Sequence, residues 1–328
     1  MTRAITWATA ALLAGTSCAG ADTIYVDAGG GGDYTTIQAG MDAAASGDTV
    51  VVANGTYTIN SAITFGGKEI MLRAEFSRGA VIDCQHATRA VHFEGEGAGA
   101  KLLGFVIIGG SAGYGGGIYG AGGTLATISD CYIVNCSAEL GGGIYAYLSN
   151  VTVMACDIVC CSATEAGGGV YSYWGADASF IGLTIGGCSA PAGGGMYLWG
   201  SSPMVHLCTF YRNTDALWVR GNTAGLTVMQ SILAFSSVGK GVSCEDGGTP
   251  YVSFCDVYGN AGGDAVCGTS YQNGSEDPRF CDIDVGDVSL CANSPCLPGG
   301  IGARGEGCGN CDTPVAPTTW GAVKALYR

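Results

Sequence analysis

The chain has 328 residues, of which 48% are hydrophobic and only 12% charged, and 27 acidic against 13 basic side chains give a formal charge of −14. This is enough apolar material for one long domain. So acidic a chain excludes nucleic acid as a partner, since that affinity rests on Lys and Arg neutralising phosphates, and it disfavours anionic membrane surfaces for the same reason.

Taken from the start, Arg3, the apolar run Ala4 to Ala14 and then Ala19-Gly20-Ala21 have the order of a secretory signal, so residues 1–21 are read as a signal peptide cleaved before Asp22. Lipid attachment through Cys18 is an alternative, but Gly15-Thr16-Ser17 lacks the leucine such signals carry. The apolar run is too short to cross a bilayer, and no later run is long enough, so the mature chain is predicted to be secreted or at the cell surface with no membrane span. Of 17 cysteines, 16 remain after cleavage (17 minus Cys18), an even number in an oxidising compartment.

Ile24 to Val26 reads as a strand, and Thr36 to Ala45 as a short helix with Ile37, Met41 and Ala44 on one side and Thr35 or Thr36 as its N-cap. Two strand phrases follow, Gly47 to Val52 and Gly55 to Thr58. From Gly115 one phrase returns with a period of 26: GGGIY at 115 and 141, GGGVY at 167 and GGGMY at 193. A fixed period of that size predicts a solenoid whose coils are stable only when stacked, with the helix capping the first open coil.

Strand phrases starting at Phe105, Cys131, Cys156, Leu183, Cys208, Ser231 and Cys255 can be laid over one another. Period-2 alternation points these residues inward, together with Ile107, Ile133, Ile158, Ile185, Phe210, Leu233 and Val257, as a core of stacked parallel strands. A turn column follows at Gly110, Cys136, Cys161, Cys188, Asn213, Ser236 and Asn260. Cysteine in three successive coils predicts buried packing there.

The opening text from Asp33 to Thr58, with GKEIMLRAE and VIDC after it, resembles secreted right-handed parallel β-helix proteins of the pectin-lyase-like superfamily. The GGGIY phrase with Phe210-Tyr-Arg-Asn213 is also similar to the repeats of bacterial polymorphic outer-membrane protein passengers, whose C-terminal membrane barrel this chain is not expected to build. The resemblance implies an all-β right-handed parallel β-helix of about ten coils with a short N-terminal capping helix. It also implies polysaccharide lyase or glycoside hydrolase activity as one functional reading. In the turn column, asparagines would ladder by hydrogen bonds up and down the stack.

Outward residues of the GGGIY strands make two columns. The first is Tyr119, Tyr145, Tyr171, Tyr197 and Trp218, and the second Tyr147, Tyr173, Trp199, Arg220 and Glu245. Flat aromatic faces suit sugars, which makes this strip the candidate for binding a polysaccharide or cell-surface glycan, above all where the repeat degenerates at Trp199, Trp218, Arg220 and Glu245. Stacked aromatics also stabilise a parallel sheet with no ligand at all, by about 0.5–1.5 kcal/mol per pair, and a structural surface spacer is the reading that follows if the strip is inert.

No catalytic constellation stands out. The outward column Tyr132, Asp157, Thr184, Thr209, Ile232, Asp256 holds two isolated aspartates, and the charged cluster Asp83, His86, Arg89, His92, Glu94, Glu96 reads as a solvated loop or as an acid-base set. No cofactor is expected, though Asp282, Asp284 and Asp287 could hold calcium. Cys291, Cys296, Cys308 and Cys311 have a zinc-like spacing that disulfides explain as well. The body is taken as 22–300, and 301–328 as a Cys/Gly linker and tail with an apolar helical stripe at Trp320, Val323, Leu326 and Tyr327. Cys131, Cys136, Cys156, Cys161, Cys188 and Cys208 are predicted to be buried thiols, with Cys281, Cys291, Cys296, Cys308 and Cys311 supplying most of the bridges.

Overall fold

The computed structural model describes residues 20–223 and 225–311. The signal reading over residues 1–19 and the apolar stripe of the tail lie outside them.

Three parallel sheets run the length of the molecule. The first has eleven strands, from Thr23–Val26 to Thr269–Tyr271, the second nine, from Gly55–Thr58 to Asp256–Tyr258, and the third eight, from Ile63–Thr64 to Val242–Glu245. Each coil visits them in that order, as in Lys101–Leu103, Phe105–Ile108 and Ile118–Ala121. The result is the expected all-β parallel β-helix, of about nine turns by the strands of the second sheet. The 26-residue period becomes register: Tyr119 pairs with Tyr145, Tyr145 with Tyr171 and Tyr171 with Tyr197, and the column continues through a shorter coil to Trp218.

Both inward columns are fully buried from Phe105 and Ile107 to Cys255 and Val257. The corner between the first and second sheets is one residue in the left-handed region. Gly104 and Gly182 occupy it in two coils, but Asp130, Ala155, Leu207, Gln230 and Phe254 do so in others, at φ between 45° and 54°. Stacking enforces there a conformation that costs a non-glycine residue about 1–2 kcal/mol.

The turn column behaves as a ladder. Asn213 and Asn260 reach back one coil with both amide atoms, and in the three coils before Asn213 a cysteine sulfur stands at the same position, Cys136 Sγ accepting the Gly110 N–H at 3.3 Å. Beyond it the triple glycine makes a close approach that no side chain fits, since a Cβ on Gly142 would lie 2.3 Å from the Ser162 carbonyl oxygen.

At the N-terminal end the helix Ile37–Ala43 starts at Thr36, whose hydroxyl accepts the Ala39 N–H at 3.4 Å, and Ile37 and Met41 are buried in the main core. At the other end, residues after about 276 fold back instead of adding a coil. Strands Phe280–Asp282, Asp287–Cys291 and Glu306–Cys308 form a small sheet of their own. Phe280, Ile283, Val288, Leu290 and Cys296 then pack on Tyr211, Ile232, Ala234 and Phe235, on the outer face of the second sheet.

Disulfides Cys281–Cys308 and Cys291–Cys311 tie this flap, as expected. Cys296 departs from expectation: it is a buried thiol inside the flap's core. A third bridge, Cys244–Cys267, joins adjacent coils with its Cα atoms 6.0 Å apart. The six repeat cysteines predicted as thiols are free and buried.

Candidate functional site

The third sheet carries the two aromatic columns on its outer side, and they differ in what lies over them. In the first, the rings of Tyr119, Tyr145, Tyr171 and Tyr197 stack with centroids 5.5, 5.4 and 5.1 Å apart and planes within 10° of parallel. Leu140 and Ala166, at the ends of the short paired strands Ser137–Leu140 and Ser162–Ala166, and Ala192 pack against them, and Tyr145, Tyr171 and Tyr197 are at most 7% exposed. Burial pushes the Tyr145 and Tyr171 hydroxyls well above their ordinary pKa. The faces of Tyr145 and Tyr171, and one face of Tyr197, are taken by the neighbouring rings, so these three present little flat surface to a sugar.

The second column stands further out. Tyr147 stacks on Tyr173 at 5.5 Å, Tyr173 lies 4.9 Å from Trp199, and all three are half-buried. Beside them, at the corner where the chain leaves the sheet, Trp174 is 57% exposed and Leu148 43% exposed. The Trp174 and Tyr173 rings are 6.0 Å apart. Each outlying side chain rests over a glycine of the next coil: Cβ atoms on Gly175, Gly200 and Gly221 would meet Leu148, Trp174 and Trp199 at 3.6, 3.6 and 3.4 Å. Glycine at those corners lets the apolar side chains lie flat as a staggered ridge.

The ridge ends at the polar group foreseen in the sequence. Arg220 pairs in register with Trp199 on one side and Glu245 on the other. Its guanidinium carbon lies 4.6 Å over the Trp199 ring, and its Nε donates to Asp246 at 2.8 Å. Trp218 Nε1 donates to Glu245 at 3.4 Å, and Arg220 also hydrogen-bonds Tyr197. These contacts hold one face of the guanidinium against an aromatic ring and leave it 34% exposed.

Elsewhere the structure separates what the sequence placed together. Asp83 and His86 line a groove on the second sheet, while Arg89 sits over the Tyr119 ring at 4.6 Å and His92 meets that ring edge-on at 5.0 Å. Glu96 is buried and accepts the Gly67 N–H at 3.2 Å. Of the three acidic residues of the calcium reading, Asp282 and Asp287 lie opposite each other in an antiparallel pair; Asp284 pairs with Arg212, Asp282 accepts the Asp284 N–H at 3.1 Å, and Asp287 accepts the Ser289 N–H at 3.0 Å. The one grouping of metal-ligand type among the described residues is Cys281, Cys291 and Cys308, and all three sulfurs are in disulfides, so the zinc-like spacing is disulfide chemistry.

Sequence reasoning passed over Trp174 and Leu148. The available signal was the glycine or small residue that follows the second aromatic column, which marks a corner rather than a continuing strand.

The family described as "Right handed beta helix region" matches residues 106–277. No curated protein matches the chain. Among solved structures it is similar to the pectin methylesterase from Aspergillus niger in deglycosylated form, at 16% identity over 79% of this chain and 87% of that one with a TM-score of 0.46. It is also similar to pectate lyase Pel9A, at 17% identity over 78% of this chain and 77% of that one with a TM-score of 0.44. With a match over more than half its length and the stacked parallel coils described above, this chain belongs to the right-handed β-helix family.

Proposed function

We propose that this is an exported β-helix protein that binds a polysaccharide at a cell or matrix surface along the ridge of the third sheet. The observation that carries the reading is Trp174, an indole 57% exposed beside the Tyr173 ring, which in turn packs on Trp199. A soluble chain gains nothing from exposing so large a ring, whereas the apolar face of a pyranose covers it at little entropic cost, because the ridge is held in place by its neighbours. Arg220, Glu245 and Asp246 at the end of the ridge supply directional hydrogen bonds, and a planar guanidinium suits a uronate or sulfate.

Binding is favoured over catalysis because the charged groups at the ridge are already paired with one another. The test is retention on a glycan array by the parent chain and by Trp174→Ala/Trp199→Ala, with circular dichroism to verify the fold. Selective retention lost at least tenfold in the variant is expected. Equal retention rejects the ridge, and no retention of the parent favours a structural spacer.

A further inference from the structure

The outer face of the second sheet is open at one end and covered at the other. Val106 and Tyr132 are half-buried, and with Asp83, His86 and Ile108 they line a groove of about 740 Å3 that leaves the sheet along the turns at Ser137, Ser162 and Ser189. One coil on, the same column disappears under the flap: Asp157, Thr184, Thr209 and Ile232 are at most 5% exposed. Tyr132 also lines a second, narrower cleft of about 250 Å3 between the sheet and the flap, together with Asp157, Thr184, Tyr211, Ser289 and Arg304. The flap is anchored there by Arg304, which donates to Asp157 at 2.5 Å, while Arg78 donates to the other oxygen of the same carboxylate at 2.6 Å.

The Thr184 hydroxyl is the unexplained group. It is 4% exposed, it lines the cleft, and it finds no hydrogen-bond partner among the described residues. A buried hydroxyl left unpaired costs about 1–3 kcal/mol.

We propose that the cleft under the flap takes the end of a linear saccharide, with the terminal sugar against Thr184 and the following units running out over Tyr132, Val106 and Ile108. The chemistry that fits is a compact unit dense in hydroxyls. Within one small space it meets a hydroxyl in want of a partner, a carboxylate that accepts, a guanidinium that donates and aromatic rings. The flap, tied by two disulfides, packs on Tyr211 and Ile232 beyond the cleft, so a saccharide chain that enters the cleft ends there. The site lies on a different sheet from the ridge and does not depend on it.

The test is calorimetric titration in a Trp174→Ala background, so that the ridge does not contribute. The probes are short linear gluco-, manno- and galacturono-oligosaccharides, untagged and carrying a bulky aromatic tag at one end or the other. At least one series is expected to bind with a strong dependence on which end is tagged, and Thr184→Val and Arg304→Gln should each weaken it tenfold or more. Thr184→Val replaces an unpaired buried hydroxyl by a methyl of similar size, so its melting temperature should not fall, which separates lost binding from lost fold. Absence of binding by every series, equal effects of the two tags, or unchanged affinity in Thr184→Val would overturn the proposal.

Discussion

Asn213 holds the coil that carries Cys188: its side-chain oxygen accepts the Cys188 N–H at 2.9 Å while its amide nitrogen donates to the Ile185 carbonyl at 2.9 Å. One side chain thus closes two backbone groups that face into the core at the corner of the preceding coil. Asn213→Ala removes both partners and leaves two buried polar groups unsatisfied, for a loss of about 3 kcal/mol. Urea unfolding should show it as a lower midpoint at unchanged slope. A change below about 0.5 kcal/mol would mean that the ladder carries no stability.

The ladder also marks what could be read from sequence. A period near 26 residues and two-residue alternation, with the strand phrases aligned by their own pattern where the coils shorten, define which side chains point inward and which stack. That suffices for both core columns, for the pairing of Tyr197 with Trp218 and for that of Arg220 with Glu245. Alternation says only that a residue points outward, not what lies over it. Tyr171 and Trp174 are both outside the barrel, yet the first is covered by Ala166 and its stacked neighbours and the second is open. The flap escaped for the same reason: Phe280, Ile283 and Leu290 have apolar spacing, but the surface that receives them belongs to coils many residues earlier.

The cysteine pattern predicts a labelling result. Unfolded without reductant, the protein should react with a thiol reagent at Cys84, Cys131, Cys136, Cys156, Cys160, Cys161, Cys188, Cys208, Cys255 and Cys296, and peptide mapping should find Cys244, Cys267, Cys281, Cys291, Cys308 and Cys311 protected. In the folded state burial pushes the Cys208 and Cys255 thiols up to about 12, so both should be inert before unfolding. Rapid modification of either in the native protein would contradict the stacked core.

Asp256 gives the fold a pH dependence. It lies at the edge of the flap, its Oδ1 accepting the Glu276 N–H at 3.0 Å, and burial pushes its carboxyl from the ordinary 3.8 up to about 6. A raised carboxyl pKa means that ionisation opposes folding. The penalty is absent below about pH 4, grows as pH rises, and is complete above about pH 6, where it reaches about 3 kcal/mol. Asp256→Asn should therefore raise the melting temperature at pH 8 and have little effect at pH 4. The reverse order would show that the charged form is the one the site stabilises.

Hydroxyl-radical footprinting, with and without the glycan that the array selects, tests the binding account most directly, because it reads ring exposure residue by residue. Free protein should be oxidised fastest at Trp174, with Tyr173, Trp199 and Trp218 slower and the buried Tyr145, Tyr171 and Tyr197 nearly inert. Glycan should shield Trp174 and Trp199 while the exposed Phe76, on another face, keeps its rate. Protection confined to other residues, or oxidation of Trp174 at the same rate with ligand bound, would contradict a glycan-binding ridge.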